Sequence, residues 1–506
     1  MKFSLEDIIQ IQQRGILPER IREQLELFAR GISYVELHRP CTLGDGIETI
    51  PEQEEAALVD CYEQAAAAGR CLKFVPASGA ASRMFKEWFK GLEQPWLPTE
   101  PTARTFVEQL PLYPFYDDLC RAASRDGRDL SALLERGDFT SILSYILTSR
   151  GLDYGSLPKA LLKFHKYPWG SRTALEEHLV EAARYAVDDR RISRLHITVS
   201  PEHRRPVEEF LAKINTKYEE LYGVIYEVGI SCQEKATDTI AVDLQNRPLR
   251  DDNGRLCFRP GGHGALLQNL NALDGDIIFL KNIDNVSPED MMAVTVHFKK
   301  LLAGLLLKRQ EETFRQLEKL HSGKIDQEDL AAIDLFCRQK LHIGFPKGYS
   351  RWSREEKLAA WRKKLSRPLR VCGVVRNEGE PGGGPFWVRD EDGGQSLQIV
   401  EEVQVDCRNG DQQARWRAAT HFNPVDLVCA VRDFQGRKFD LEKYVNPRAV
   451  SIARKSDYGR DLQALELPGL WNGAMADWNT IFVEVPLATF NPVKMVEDLL
   501  RPRHLS

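Results

Sequence analysis

Short apolar runs, each bounded by turn-forming residues, recur at 71–75, 195–199, 224–230, 277–280, 371–375, 427–431 and 481–485. Short, largely apolar runs bounded in this way predict strands. Between several of them the period changes to that of a helix, as over 173–186. Strands alternating with helices predict an α/β fold with a mainly parallel sheet covered by helices, the layout of Rossmann-like domains. Ile8, Ile9, Ile11, Ile16, Ile21, Leu25 and Leu27 recur at roughly helical spacing among charges, so 1–66 is expected to be an N-terminal helical cap. Two further stretches, 87–150 and 291–368, break the strand–helix rhythm with helical patterns and are expected as insertions. The core would then be assembled from 67–86, 151–290 and 369–506.

Charge and composition narrow the function classes. Lys and Arg total 69 against 74 Asp and Glu, a formal charge of −5, and no segment carries the dense basic stripe of a nucleic-acid surface. Glu6 and Asp7 stand beside the first apolar residues, unlike a signal peptide, and no run reaches the length of a membrane span. The ten cysteines are scattered without a C-x-x-C pair, which fits reduced thiols. The expectation is a cytoplasmic protein with no nucleic-acid or membrane partner.

Three motifs carry candidate chemistry. The first, 77–84 (ASGAASRM), follows the apolar run 71–75 and is expected to lead straight into a helix. The backbone amides of Ser78, Gly79 and Ala80 can approach phosphate oxygens, the helix would add its positive end, and Arg83 can reach the same anion. An ordinary small-residue turn against a sheet is the alternative. In the second, Pro158 restricts the backbone before Lys159, which presents a point charge to a phosphate or to solvent; farther on, Thr173 and Glu176 have the spacing of a capping box. The third is Gly262-His263-Gly264, where glycines flanking a His permit close approach of a flat ligand, followed by the strand-like run 277–280 and then Asp284. A carboxylate just past such a strand can hold Mg²⁺ when phosphates complete the coordination shell.

In this order the motifs resemble those of the UDP-sugar pyrophosphorylases, nucleotidyltransferases of GT-A-type fold. The family's G-x-G-T loop is similar to Gly79 to Met84, its P-K to Pro158-Lys159, its G-H-G to Gly262-His263-Gly264 and its D-N to Asp284-Asn285. Its F-N, V-N-P-K and F-x-P-V-K segments are similar to Phe422-Asn423, Val445-Asn446-Pro447-Arg448 and Phe490-Asn491-Pro492-Val493-Lys494. The resemblance implies transfer of a nucleotidyl group from a nucleoside triphosphate, UTP by analogy, to a sugar 1-phosphate, with Mg²⁺ as cofactor and pyrophosphate as product. It implies catalytic Arg83, Lys159 and Lys494 and a metal ligand at Asp284. Nucleotide contacts would come from Ser78, Gly79, Ala80, Gly262, His263 and Gly264, and sugar contacts from Glu401, Glu402 and Asn423 in the C-terminal, sugar-side part. The loop departs from the family in having Ser78 and Ala81 where glycine is usual. A catalytically silent nucleotide-binding regulator and a glycosyltransferase on the same fold are the other readings.

Overall fold

The computed structural model describes residues 3–79, 81–323, 325–379, 382–457 and 460–505. These fall into two compact units, one made of Met1–Ala65, Gln233–Leu280 and Lys300–Val485, the other of Ala66–Cys232, Lys281–Lys299 and Pro486–Ser506.

In the first unit six strands lie side by side in the order Thr42–Leu43, Gly46–Glu48, Asn479–Glu484, Leu369–Arg376, His421–Ala430 and Ile277–Lys281. Asn479–Glu484 runs parallel to both Gly46–Glu48 and Leu369–Arg376, whereas Leu369–Arg376 is antiparallel to His421–Ala430. Every residue of His421–Ala430 is buried, and its last four residues, Leu427 to Ala430, are all apolar. Two smaller antiparallel sheets complete the unit: Leu37–Pro40 with Gly384–Arg389 and Gln395–Val400, and Phe258–Arg259 with Thr239–Val242, Arg460–Glu466 and Ser451–Asp457.

The apolar spacing predicts a cap that is helical over 1–66, but the described residues 3–66 are only partly helical. Helices Leu5–Gln13 and Pro18–Arg30 form and, with the turn between them, seat Ile11, Ile16, Ile21 and Phe28 on Ile240, Val242, Phe258 and Leu465. Gly31, at φ +84°, then ends the helical run, and the chain enters the strands Leu37–Pro40, Thr42–Leu43 and Gly46–Glu48 before helix Glu52–Ala67. These strands are too short to show a period of two; Leu37–Pro40 and Gly46–Glu48 find partners far along the chain in Gly384–Arg389 and Asn479–Glu484, and Thr42–Leu43 pairs with Gly46–Glu48.

The second unit holds three parallel strands in the order Cys71–Pro76, Ile192–Val199, Ile225–Cys232. Helix Arg204–Tyr222 connects the last two, and helix Ala174–Tyr185 precedes Ile192–Val199. The latter begins as the Thr173/Glu176 spacing predicts. Thr173 Oγ1 accepts from the Glu176 N–H at 3.2 Å, and Glu176 Oε2 accepts from the Thr173 N–H at 2.6 Å. Among the described residues 87–150 contain helices and no strand, and Trp88 packs edge-on against Phe106 and Tyr113 with ring centroids 5.2 and 5.4 Å apart. Each of the seven apolar runs coincides with a strand, so the chain is a mixed α/β protein with a mainly parallel main sheet. No helix among the described residues is long and apolar enough to cross a membrane.

Candidate functional site

In the second unit the small-residue loop leaves strand Cys71–Pro76. Its first amide, Ala77 N–H, bonds to the Thr198 carbonyl at 2.9 Å, and Ala81 N–H reaches the Leu157 carbonyl at 3.4 Å, which brings the loop beside Pro158 and Lys159. A Cβ built on Gly79 meets nothing within 4 Å, so at this position the loop borders open space. Ala80 lies outside the described residues. The loop does not run straight into a helix. A 3₁₀ turn, Ala81–Arg83, intervenes, and the helix Lys86–Glu93 starts after Phe85. Met84 and Phe85 are buried in the apolar core, and drawing them inward displaces the helix start. The helix start is thus set back from the loop, and Arg83, in the 3₁₀ turn between them, is exposed.

Next to the loop, Lys159, Asp284 and Lys494 meet. Asp284 lies in a tight turn closed by the Asn285 N–H to the Asn282 carbonyl at 3.1 Å, just beyond strand Ile277–Lys281. Its carbonyl accepts from the Val493 N–H at 2.9 Å, which ties the turn to the segment bearing Lys494. Its Oδ2 accepts from Lys159 Nζ at 3.2 Å and from Lys494 Nζ at 3.0 Å. Lys159 Nζ is fixed further by the Val493 carbonyl at 2.8 Å. Lys159 is nearly buried, whereas the Lys494 side chain is 54% exposed.

Burial alone would raise the pKa of Asp284, but the ammonium groups of Lys494 and then Lys159 outweigh it and hold the carboxyl below its ordinary range. Burial lowers the pKa of Lys159; Asp284 opposes the shift, while Lys494 and Arg83 add to it. Two ammonium groups on one carboxylate leave a net positive site, and Arg83 adds to that charge. Such a field favours an anion with several charges.

Among the described residues no group of three or more His, Cys, Asp or Glu could hold a metal ion. No described residue donates to Oδ1 of Asp284. That free oxygen fits a Mg²⁺ ion held by one carboxylate with phosphate oxygens supplying the remaining ligands.

The first unit contains the Gly-His-Gly turn. Gly262 has φ +74°, a conformation that disfavours a side chain, and a Cβ on Gly264 would overlap the Pro468 carbonyl oxygen. Both glycines thus have structural reasons to be there. Gly264→Ala is expected to cost about 1–3 kcal/mol, read as a lower Tm in thermal denaturation; an unchanged Tm would show that the turn can yield.

His263 stacks on Trp471, with ring centroids 4.0 Å apart. Its Nδ1 accepts from the Leu470 N–H at 3.0 Å, and its Nε2 lies 3.8 Å from Glu401 Oε1. Burial lowers the His263 pKa, Glu401 opposing, so the ring is neutral with its proton on Nε2. Glu401 Oε1 also accepts from Trp471 Nε1 at 3.0 Å. His263, expected at the nucleotide, and Glu401, expected at the sugar, are therefore neighbours.

Glu402 is exposed at the start of a 3₁₀ turn. Asn423 is buried and occupied: its Nδ2 donates to the Gly373 carbonyl at 3.1 Å, and its Oδ1 accepts from the N–H of Val425, which has φ +57°. Its amide supports the backbone of the strand. Sequence reasoning missed Trp471, whose only signal is its place in the turn-like Pro468-Gly469-Leu470-Trp471-Asn472-Gly473.

A family model described as "Domain of unknown function (DUF4301)" matches residues 4–505. No curated protein matches. Among solved structures, the chain is similar to the uridine diphosphate N-acetylglucosamine pyrophosphorylase of Trypanosoma brucei at 12% identity and TM-score 0.48, over 95% of this chain and 74% of that one. It is similar to the UDP-glucose pyrophosphorylase of Leishmania major at 14% identity and TM-score 0.45, over 98% of this chain and 77% of that one. For the UDP-glucose phosphorylase of Trypanosoma brucei the values are 15% and 0.46, over 99% and 78%.

Proposed function

We propose that this chain, which belongs to the DUF4301 family, is a nucleotidyltransferase that transfers a nucleotidyl group from a nucleoside triphosphate, UTP foremost, to a sugar 1-phosphate and releases pyrophosphate. The observation that carries the reading is the convergence of Lys159 and Lys494 on a single oxygen of Asp284 beside the small-residue loop. The motif order from Gly79 to Lys494 supplies the substrate class.

The reaction brings together a triphosphate and a monophosphate, so repulsion between the substrates must be offset in the ground state and more so as charge shifts toward the leaving group. A sugar phosphate oxygen forms a bond to the α-phosphorus in line, the bond from that phosphorus to the oxygen bridging to the β-phosphorus breaks, and its electrons leave with pyrophosphate. No side-chain nucleophile is required. Lys159, held by two acceptors, supplies a fixed positive charge to the reacting phosphates. Lys494, half-exposed, can exchange its contact with Asp284 for one with an incoming phosphate. Arg83 and the amides of Ser78 and Gly79 suit the triphosphate tail. A Mg²⁺ ion on Asp284, when bound, would screen the phosphate charges.

The test is pyrophosphate release from each nucleoside triphosphate, offered with a panel of sugar 1-phosphates and Mg²⁺. Release that requires both substrates supports the reading. Binding of a triphosphate in a thermal-shift assay without release in any combination would favour a silent nucleotide binder. Release of a nucleoside diphosphate from an NDP-sugar in the presence of an acceptor would make the chain a glycosyltransferase.

A further inference from the structure

Beside the turn that carries Asp284, the second unit encloses a polar cluster that the phosphate chemistry does not use. Glu181, Lys73, Lys281 and His178 are each 0% exposed. Glu181 Oε1 accepts from Lys73 Nζ at 3.2 Å and from the Tyr185 hydroxyl at 2.8 Å, and its Oε2 accepts from Lys281 Nζ at 2.7 Å. Lys73 Nζ also donates to the His178 carbonyl at 3.1 Å. The placement of the lysines gives the cluster its meaning. Lys73 belongs to the strand that delivers the small-residue loop, and Lys281 ends the strand that delivers Asp284. One carboxylate on helix Ala174–Tyr185 thus ties together the two segments whose ends carry site residues.

His178 lies one helical turn before Glu181, and its Nε2–H donates to the Ile283 carbonyl at 3.2 Å. The Ile283 N–H in turn bonds to the Pro76 carbonyl at 3.2 Å. Burial, reinforced by the charge of Lys73, keeps the imidazole neutral, so the ring carries one proton and spends it on that carbonyl. Its Nδ1 is buried without a hydrogen-bond partner. An unpaired buried acceptor is destabilising, so an apolar side chain of similar size would serve packing better, and the donor is what distinguishes histidine here.

Ile283 and Asp284 are the central residues of the turn from Asn282 to Asn285, and neither has a positive φ. The peptide between them is the one whose half-rotation would convert the turn to the type that demands positive φ at Asp284. Its carbonyl is the group His178 holds.

We propose that His178 is a positioning residue: by holding the Ile283–Asp284 peptide it fixes the direction of the Asp284 carboxylate, while Glu181, through Lys73 and Lys281, keeps its helix in register with the loop and the turn. The inference rests on the reading of Asp284 as part of a phosphoryl-transfer site.

Two variants test it. His178→Leu removes the donor at similar volume, and His178→Gln places an amide N–H near the position of Nε2. His178→Leu is expected to lower kcat for pyrophosphate release by about 10–10²-fold, with KM for the triphosphate and Tm near the parent's, and His178→Gln to recover most of the loss. Parental kcat in His178→Leu, or equal losses in both variants, would overturn the proposal. Should the leucine variant not fold, kcat of the glutamine variant decides: near-parental turnover supports the proposal, and a loss as deep as that of an Asp284 variant overturns it. If the parent itself releases no pyrophosphate, the nucleotidyltransferase reading fails. Backbone hydrogen exchange over 282–286 then judges the positioning claim, faster exchange in His178→Leu supporting it and unchanged exchange overturning it.

Discussion

Asp284→Asn is expected to abolish Mg²⁺-dependent turnover, lowering kcat by about 10³-fold or more, while the fold persists. The amide preserves the shape of the carboxylate and can still accept from Lys159 and Lys494, so the turn is not emptied. What changes is charge. The trio of one carboxylate and two ammonium groups goes from net +1 to net +2, and the free oxygen suited to a metal becomes part of a neutral amide. Affinity for inorganic pyrophosphate without metal should therefore rise as turnover disappears, a pairing that unfolding cannot mimic.

Stability should acquire a pH dependence of defined sign. The Lys159 pKa already lies below its ordinary 10.5 because burial disfavours the ammonium form, and Asp284 is the group opposing that shift. Without the carboxylate the depression deepens. A lysine with a depressed folded pKa penalises the fold fully below that value, and the penalty is relieved as pH rises from there toward 10.5. Tm of Asp284→Asn should thus approach the parent's as the solution is made alkaline. An Mg²⁺ titration giving the parent's activity curve would refute the role of Asp284.

Lys159→Ala should lower kcat/KM by about 10²–10³, the usual scale for losing one preorganised donor to transition-state charge. Lys494→Ala should lower it too, with a different division. Lys159 is nearly buried and held by both Asp284 and Val493, so its charge is in place before substrate arrives, and its loss should appear mainly in kcat. Lys494 is half-exposed on a flexible stem, so its loss should fall more on KM and should shrink at high ionic strength. Lys159→Arg is not expected to rescue, because a planar fork cannot occupy a position built for a point charge between a carboxylate oxygen and a carbonyl. Steady-state kinetics of the three variants at low and high salt separates these outcomes. Parental activity in Lys159→Ala would remove the central element of the proposed mechanism.

Local chemistry explains which features were legible in the sequence. The seven runs marked strands because each is short, largely apolar and bounded by turn-forming residues, whether the strand is buried throughout, as Ile277–Lys281 is, or partly exposed, as Ile225–Cys232 is. Thr173 and Glu176 marked a helix start because a capping box is satisfied within four residues. Lys159, Asp284 and Lys494 were singled out by motif order, but nothing local showed that they share one oxygen atom. Lys159 and Asp284 are 125 positions apart, and Asp284 and Lys494 are 210 apart.

Other features were settled only by the tertiary structure. Strands Leu37–Pro40 and Gly46–Glu48 exist because distant strands supply hydrogen-bond partners, and the start of helix Lys86–Glu93 is displaced because Met84 and Phe85 turn into the core. Lys73 reads as a polar interruption in an apolar run; its carboxylate partner lies 108 positions away on a helix. His178 reads as one residue of an ordinary amphipathic helix until its ring is found on the Ile283 carbonyl, 105 positions away. By itself, the sequence determined where backbone groups and apolar side chains are satisfied locally. The fold alone decided which buried charges and donors face each other, because a buried polar group takes its meaning from a partner, and separation along the chain does not determine distance in space.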